Sequence, residues 1–205
     1  MKNIATILFS IMILFSCNQE NEEIINEIQS PNKEIRINFD VDVNGKPFYE
    51  VYFKNNVIVE KSYLGFELLE AKAIDSNFEF KKTSTISVND LWQMPWGEQL
   101  NVKNSYNELK IDLEENQPLN RKISIVFKAY DDGIGFRYEF PKQENWNEVL
   151  IKEENTEFNL IEDYKTFWIP GDWDIYEHLY STTKLSEIDA KSYIEKTNLA
   201  QSYIP

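Results

Sequence analysis

Glu34-Ile35-Arg36-Ile37-Asn38-Phe39-Asp40-Val41-Asp42-Val43-Asn44-Gly45 alternates without a break, with Ile35, Ile37, Phe39, Val41 and Val43 on one side and charged or amide side chains on the other. A period of two sends successive side chains to opposite faces of an extended chain, so this stretch reads as a half-buried strand. Asn44-Gly45 supplies the residues that a tight hairpin turn wants, and Phe48 to Phe53 returns as a second strand. Asn55-Asn56 marks the next turn, with Val57-Ile58-Val59 beyond it. The pattern recurs at Leu109, Ile111 and Leu113, at Ile123, Ile125, Phe127 and Ala129, and at Phe136, Tyr138 and Phe140. Between these runs lie turn residues, Asn116 to Asn120 with Pro118, and Tyr130-Asp131-Asp132-Gly133, a hairpin turn in which Gly133 can take positive φ at little cost. Only Leu185 to Leu199 is ambiguous between helix and strand. Many short strands at regular spacing predict an all-β antiparallel sandwich of about a dozen strands.

The 205 residues include 21 Lys and Arg against 35 Asp and Glu, one His, one Cys and six Gly, for a net charge of −14. A lone Cys forms no internal disulfide, and one Cys with one His cannot build a Cys/His zinc site. The acidic balance repels phosphate backbones, so nucleic acid is not an expected partner. Gly133-Ile134-Gly135 is followed by Tyr138 where a dinucleotide fingerprint needs Gly, and no phosphate-binding loop is present. The length suits one all-β domain.

Lys2 precedes an apolar run from Ile4 to Phe15, too short to span a bilayer core of about 30 Å as a lasting anchor. The run ends in Leu14-Phe15-Ser16-Cys17, which resembles a bacterial lipobox. The expectation is a signal peptide over 1–16, lipidation at Cys17, an acidic tether over 17–29 and a folded body over 30–205. The protein would then sit in the periplasm or on the outer membrane, touching the membrane through its lipid only. A plain Cys17 and a short amphipathic helix after it are the alternatives.

Several segments could carry chemistry. Trp92-Gln93-Met94-Pro95-Trp96-Gly97-Glu98 sets two tryptophans in a loop, either as core packing at the end of the sandwich or as a surface that meets a sugar or a neighbouring domain. Asp131 and Asp132 read as a solvated hairpin tip, and Arg137 as the partner of an acidic side chain. Phe167 to Tyr180 concentrates aromatic and polar groups, and its Asp172, Asp174 and Glu177 are hard oxygen donors of the kind calcium takes, although a solvated acidic turn has the same composition. His178 reads as a surface or packing residue, since no nucleophile adjoins it in sequence.

The order of these motifs carries more than any one of them. Ser30-Pro31-Asn32-Lys33, Ser62-Tyr63-Leu64-Gly65-Phe66, Trp92 to Glu98, Tyr130-Asp131-Asp132-Gly133-Ile134-Gly135-Phe136-Arg137-Tyr138 and Tyr176-Glu177-His178-Leu179-Tyr180 together resemble the N-terminal domain of glycoside hydrolase family 97. Gly135 stands where Ala is expected. The resemblance, which covers about residues 30 to 205, implies a β-supersandwich of the galactose-mutarotase-like type, packed against a catalytic (β/α)8 barrel. It implies hydrolysis of α-linked oligosaccharides by the complete protein, with the acid and base carboxylates on the barrel. It further implies a calcium ion beside the active site, for which Glu177 matches the ligand that this domain lends and Asp174 a second position.

The chain ends at Pro205, where a family member would run on toward its barrel. The expectation is an N-terminal fragment, inactive alone, with an incomplete calcium site and an exposed apolar face for the barrel. The competing expectation is a stand-alone carbohydrate-binding lipoprotein that stacks sugars on Trp92, Trp96 or Trp173.

Overall fold

A computed structural model describes residues 24–144, 146, 148–171 and 178–197. Among these residues the strands in chain order are β1 (Glu27–Gln29), β2 (Ile35–Val41), β3 (Pro47–Phe53), β4 (Asn56–Tyr63), β5 (Phe66–Leu68), β6 (Phe78–Gln93), β7 (Asn101–Glu115), β8 (Lys122–Tyr130), β9 (Ile134–Glu139), β10 (Ile151–Glu154), β11 (Lys165–Trp168) and β12 (Ser181–Lys184). A 3-10 turn, Leu185–Glu187, and a helix, α1 (Ala190–Thr197), follow, which resolves the ambiguous stretch as helical. Two four-stranded antiparallel sheets, β1-β2-β3-β4 and β6-β7-β8-β9, form the body, and β5–β10 and β11–β12 make small pairs.

The alternation in β2 does what its period predicts. Ile35, Ile37 and Phe39 are buried while Arg36 and Asn38 face outward. Across the gap stand Leu109, Ile111 and Leu113 from β7 and Ile125, Phe127 and Ala129 from β8, all within one apolar cluster. Phe39 meets Phe127 at 5.9 Å between ring centroids, and Tyr49 on β3 meets Phe127 at 5.9 Å and Phe136 on β9 at 5.5 Å. Each fully buried side chain of this size contributes about 1.5–3 kcal/mol of hydrophobic stabilisation. The expected all-β sandwich is therefore the observed fold.

Three details differ from the sequence reading. The alternation extends on paper to Val43, but the strand stops at Val41 and Val43 is fully exposed. The Asp42 carboxylate ends it by accepting the backbone N–H groups of Asn44 and Lys46 at 2.8 and 2.9 Å. Gly133 does not adopt the left-handed region, because the Tyr130 N–H donates to the Gly133 carbonyl at 2.8 Å in a turn that closes without it. Residues 27–29, placed in the tether, pair with β2 as β1, so the folded body begins at or before Glu27.

Gly45 does need its left-handed backbone, with φ of 69°. Its carbonyl accepts the Phe78 N–H at 2.9 Å, and the Asn44 carbonyl accepts that of Asn77 at 2.8 Å, so this turn fastens the first sheet to the start of the second. A Cβ at Gly45 would lie 2.5 Å from the Phe78 nitrogen. Gly45→Ala should therefore cost roughly 1–3 kcal/mol of stability, read from the denaturant midpoint; an unchanged midpoint would contradict the fastening role.

Tyr49 is fully buried and its hydroxyl donates to the Glu157 carbonyl at 2.9 Å. Burial pushes its phenol up to about 12, and burial also raises Tyr138 on β9. Because the folded state prefers the neutral phenols, their contribution is intact below the ordinary value of about 10, and that of Tyr49 is lost as pH rises through about 12. Ultraviolet titration followed alongside circular dichroism should show these tyrosines ionising only as the sandwich unfolds; a folded chain with every tyrosine ionised would refute this.

Candidate functional site

The segment expected to hold metal ligands closes the β11–β12 hairpin. The register runs from Lys165 opposite Lys184 to Trp168 opposite Ser181, which leaves residues 169–180 as the connection. Two interactions steady the strands beneath it. The Trp168 indole N–H donates to the Thr183 hydroxyl at 3.0 Å, and its ring meets Tyr193 of α1 edge-on at 6.0 Å. Asp163 accepts both the backbone N–H and the hydroxyl of Ser186, at 2.9 and 2.8 Å, and these bonds hold its carboxyl below the usual carboxylate range.

Asp172, Trp173, Asp174 and Glu177 lie outside the described residues, as does Cys17. Among the described residues no group of three or more His, Cys, Asp or Glu could hold a metal ion. Hard carboxylate oxygens suit calcium, so the chemistry of Asp174 and Glu177 fits the ion that the family resemblance implies. His178 is half-buried and engaged with a partner, in keeping with a packing role. Beside it Leu179 and Tyr180 are exposed, at 89% and 69%, and Phe167 on β11 at 62%.

Trp92 and Trp96 sit far out on the β6–β7 hairpin, and both are exposed, at 44% and 83%. Core packing is therefore not their role. Their loop turns at Gly97, whose φ is 122°, with the Met94 N–H donating to the Leu100 carbonyl at 2.9 Å. Strand β6 itself was missed by the sequence reading. Only Phe78 of its 16 residues is buried, so no apolar alternation betrays it; its Thr, Ser, Ile and Val content was the available signal.

The remaining candidates are structural. The Asp131 carboxylate accepts the Asn32 N–H at 2.8 Å and so ties the β8–β9 tip to the turn between β1 and β2. Arg137 pairs with Glu139 at 2.7 Å and with Glu108 at 3.7 Å, as expected. The hydrogen bonds from Lys110 and Arg137 hold the Glu139 carboxyl below its usual range.

The family model described as Glycosyl-hydrolase 97 N-terminal matches residues 28–202. A variant Glycoside Hydrolase Family 97 enzyme in complex with panose, from Pseudoalteromonas sp. strain K8, is 37% identical with a TM-score of 0.73 over 78% of this chain and 25% of its own. The acarbose complex from the same strain is 38% identical with a TM-score of 0.72 over 78% and 24%. A beta-arabinopyranosidase is 27% identical with a TM-score of 0.67 over 76% and 26%. The chain thus spans about a quarter of the length of these solved relatives. With a family match across nearly all of the folded body and enzymes of that family as structural neighbours, the chain belongs to the glycoside hydrolase family 97 N-terminal domain family.

Proposed function

We propose that this chain is the N-terminal, carbohydrate-associated part of a family 97 glycoside hydrolase that cleaves O-glycosidic bonds of α-glucoside or α-galactoside type, and that it supports a catalytic (β/α)8 barrel. The observation that carries this reading is the match over residues 28–202 to a part that makes up only about a quarter of the solved enzymes. Glu177, with Asp174, lends carboxylate oxygens to a calcium ion at the barrel face. Bound calcium would polarise the site and help to hold the acid and base carboxylates of the barrel. A lipid on Cys17 tethers the protein in the periplasm or at the outer membrane.

The chain alone is inactive in this reading. Glycosidases of this kind need a pair of carboxylates, one of them protonated, to work on opposite sides of the glycosidic bond. Glu139, which has Lys110 and Arg137 on two sides, is held ionised and is unsuited as the acid. The purified 205-residue chain should show no turnover of aryl α-glucosides or aryl α-galactosides; measurable turnover would overturn the proposal. Calcium titration by calorimetry should show weak binding that Glu177→Gln diminishes, and binding indifferent to that change would remove Glu177 from the ligand set.

One observation favours a second reading, a stand-alone carbohydrate-binding lipoprotein: Trp92 and Trp96 are exposed rather than packed. It requires maltooligosaccharides to quench tryptophan fluorescence saturably, with the quenching lost in Trp92→Ala or Trp96→Ala.

A further inference from the structure

Strand β7 pairs with β8 only from Tyr106, opposite Tyr130, onward. Before that point residues 101–105 pair with β6 residues 89–93 alone, so the hairpin projects beyond the sheet as a two-stranded arm. Five residues per strand extend it by roughly 16 Å. Two-stranded ribbons are marginal in water and gain independent stability by lying against something else.

The arm carries apolar groups on every side. Trp92 stands opposite Val102 on one face, while Leu91 stands opposite Lys103 on the other. Trp96 and Leu100 occupy the turn. Leu91 is 64% exposed and Leu100 62%. Charge is sparse: in a chain of net −14, residues 89–105 hold only Asp90, Glu98 and Lys103. Few charges with tryptophan, methionine and leucine is the composition of an interface core.

We propose that the β6–β7 arm docks into an apolar groove on the catalytic part of a family 97 enzyme, with Trp92 and Trp96 as its anchors. This rests on the barrel-supporting role proposed above. The indole of Trp96 and the exposed part of Trp92 supply a share of one side of an interdomain contact, for which about 600–1,500 Å² is typical. About three quarters of the solved relatives' length lies outside the part this chain covers, so a partner large enough to receive the arm belongs to such proteins. A second copy is disfavoured, because two bodies of net −14 repel. A glycan covers one face of a platform, whereas apolar groups on both faces and at the tip call for a groove that surrounds them.

The test fuses the full chain in place of the N-terminal quarter of the Pseudoalteromonas enzyme and compares the fusion with the free chain. Acarbose binding reports whether the fusion is assembled. Hydroxyl-radical oxidation of Trp92 and Trp96 should be severalfold slower in the fusion. Leu91→Ser and Trp96→Ser should lower the melting temperature of the fusion and leave that of the free chain unchanged. A fusion that binds acarbose while its arm oxidises as fast as in the free chain, and is indifferent to both substitutions, overturns the docking and leaves the proposed function standing. A fusion that does not bind acarbose overturns that function and the docking together. Self-association of the free chain that Trp96→Ser dissolves assigns the arm to a second copy, and protection of the free chain's tryptophans by maltooligosaccharides assigns it to sugar; either result overturns the docking.

Discussion

The rest of the molecule hangs on the aromatic seam between the two sheets, where Phe39 and Tyr49 from one meet Phe127 and Phe136 from the other. Neither sheet can bury its apolar face without the other. The seam also reaches beyond the sheets. Tyr49 is the one member of that seam with a polar end, and its hydroxyl holds the Glu157 carbonyl. The chain after β10 is thereby drawn along β4, where the Glu157 carboxylate takes the Tyr63 N–H and Leu160 bridges to Val59. That course leads the chain to β11 and so to the segment with Asp174 and Glu177.

A second constraint acts at the side of the core. Arg121 and Glu115 are both buried and pair with each other, and the same guanidinium donates to the Lys72 and Ala73 carbonyls at 2.6 and 2.7 Å. Every donor direction used here has an acceptor, which is the condition under which a buried ion pair is tolerated. Removing one partner would leave a buried charge and cost about 3–5 kcal/mol. The pair fixes the link from the β5 region to the β7–β8 turn, so it positions chain rather than performs chemistry. Along with the Gly45 turn against Phe78, it helps the sandwich to keep its register.

The two regions with functional interest lie where these constraints end. The β11–β12 hairpin is held at its base by Asp163 and Trp168, while its aromatic and leucine side chains at positions 167, 179 and 180 face outward. The β6–β7 arm leaves the sheet altogether. Both expose groups that a folded body ordinarily covers, and each lies within the segment that matches the family.

What the sequence determined by itself was the all-β class, the strands β2, β3, β4, β7, β8 and β9, turns between them, and the family, because period-two alternation and short motifs are local and need no knowledge of what lies opposite. The pairing of Arg137 was legible for the same reason, since a like-sided carboxylate stands two residues away, whereas the tie from Asp131 to the Asn32 N–H joins segments far apart in sequence and was decided by the tertiary structure. Tertiary structure alone decided the length of β6, the end of β2 at Val41, and the exposure of Trp92 and Trp96. A tryptophan has the same letter in a core and on an arm, and Ser-Thr-Val sequence carries no alternation when neither face is buried. Those outcomes depend on whether another sheet lies across from the residue, and that is settled only once the seam around Phe127 has brought the two sheets together.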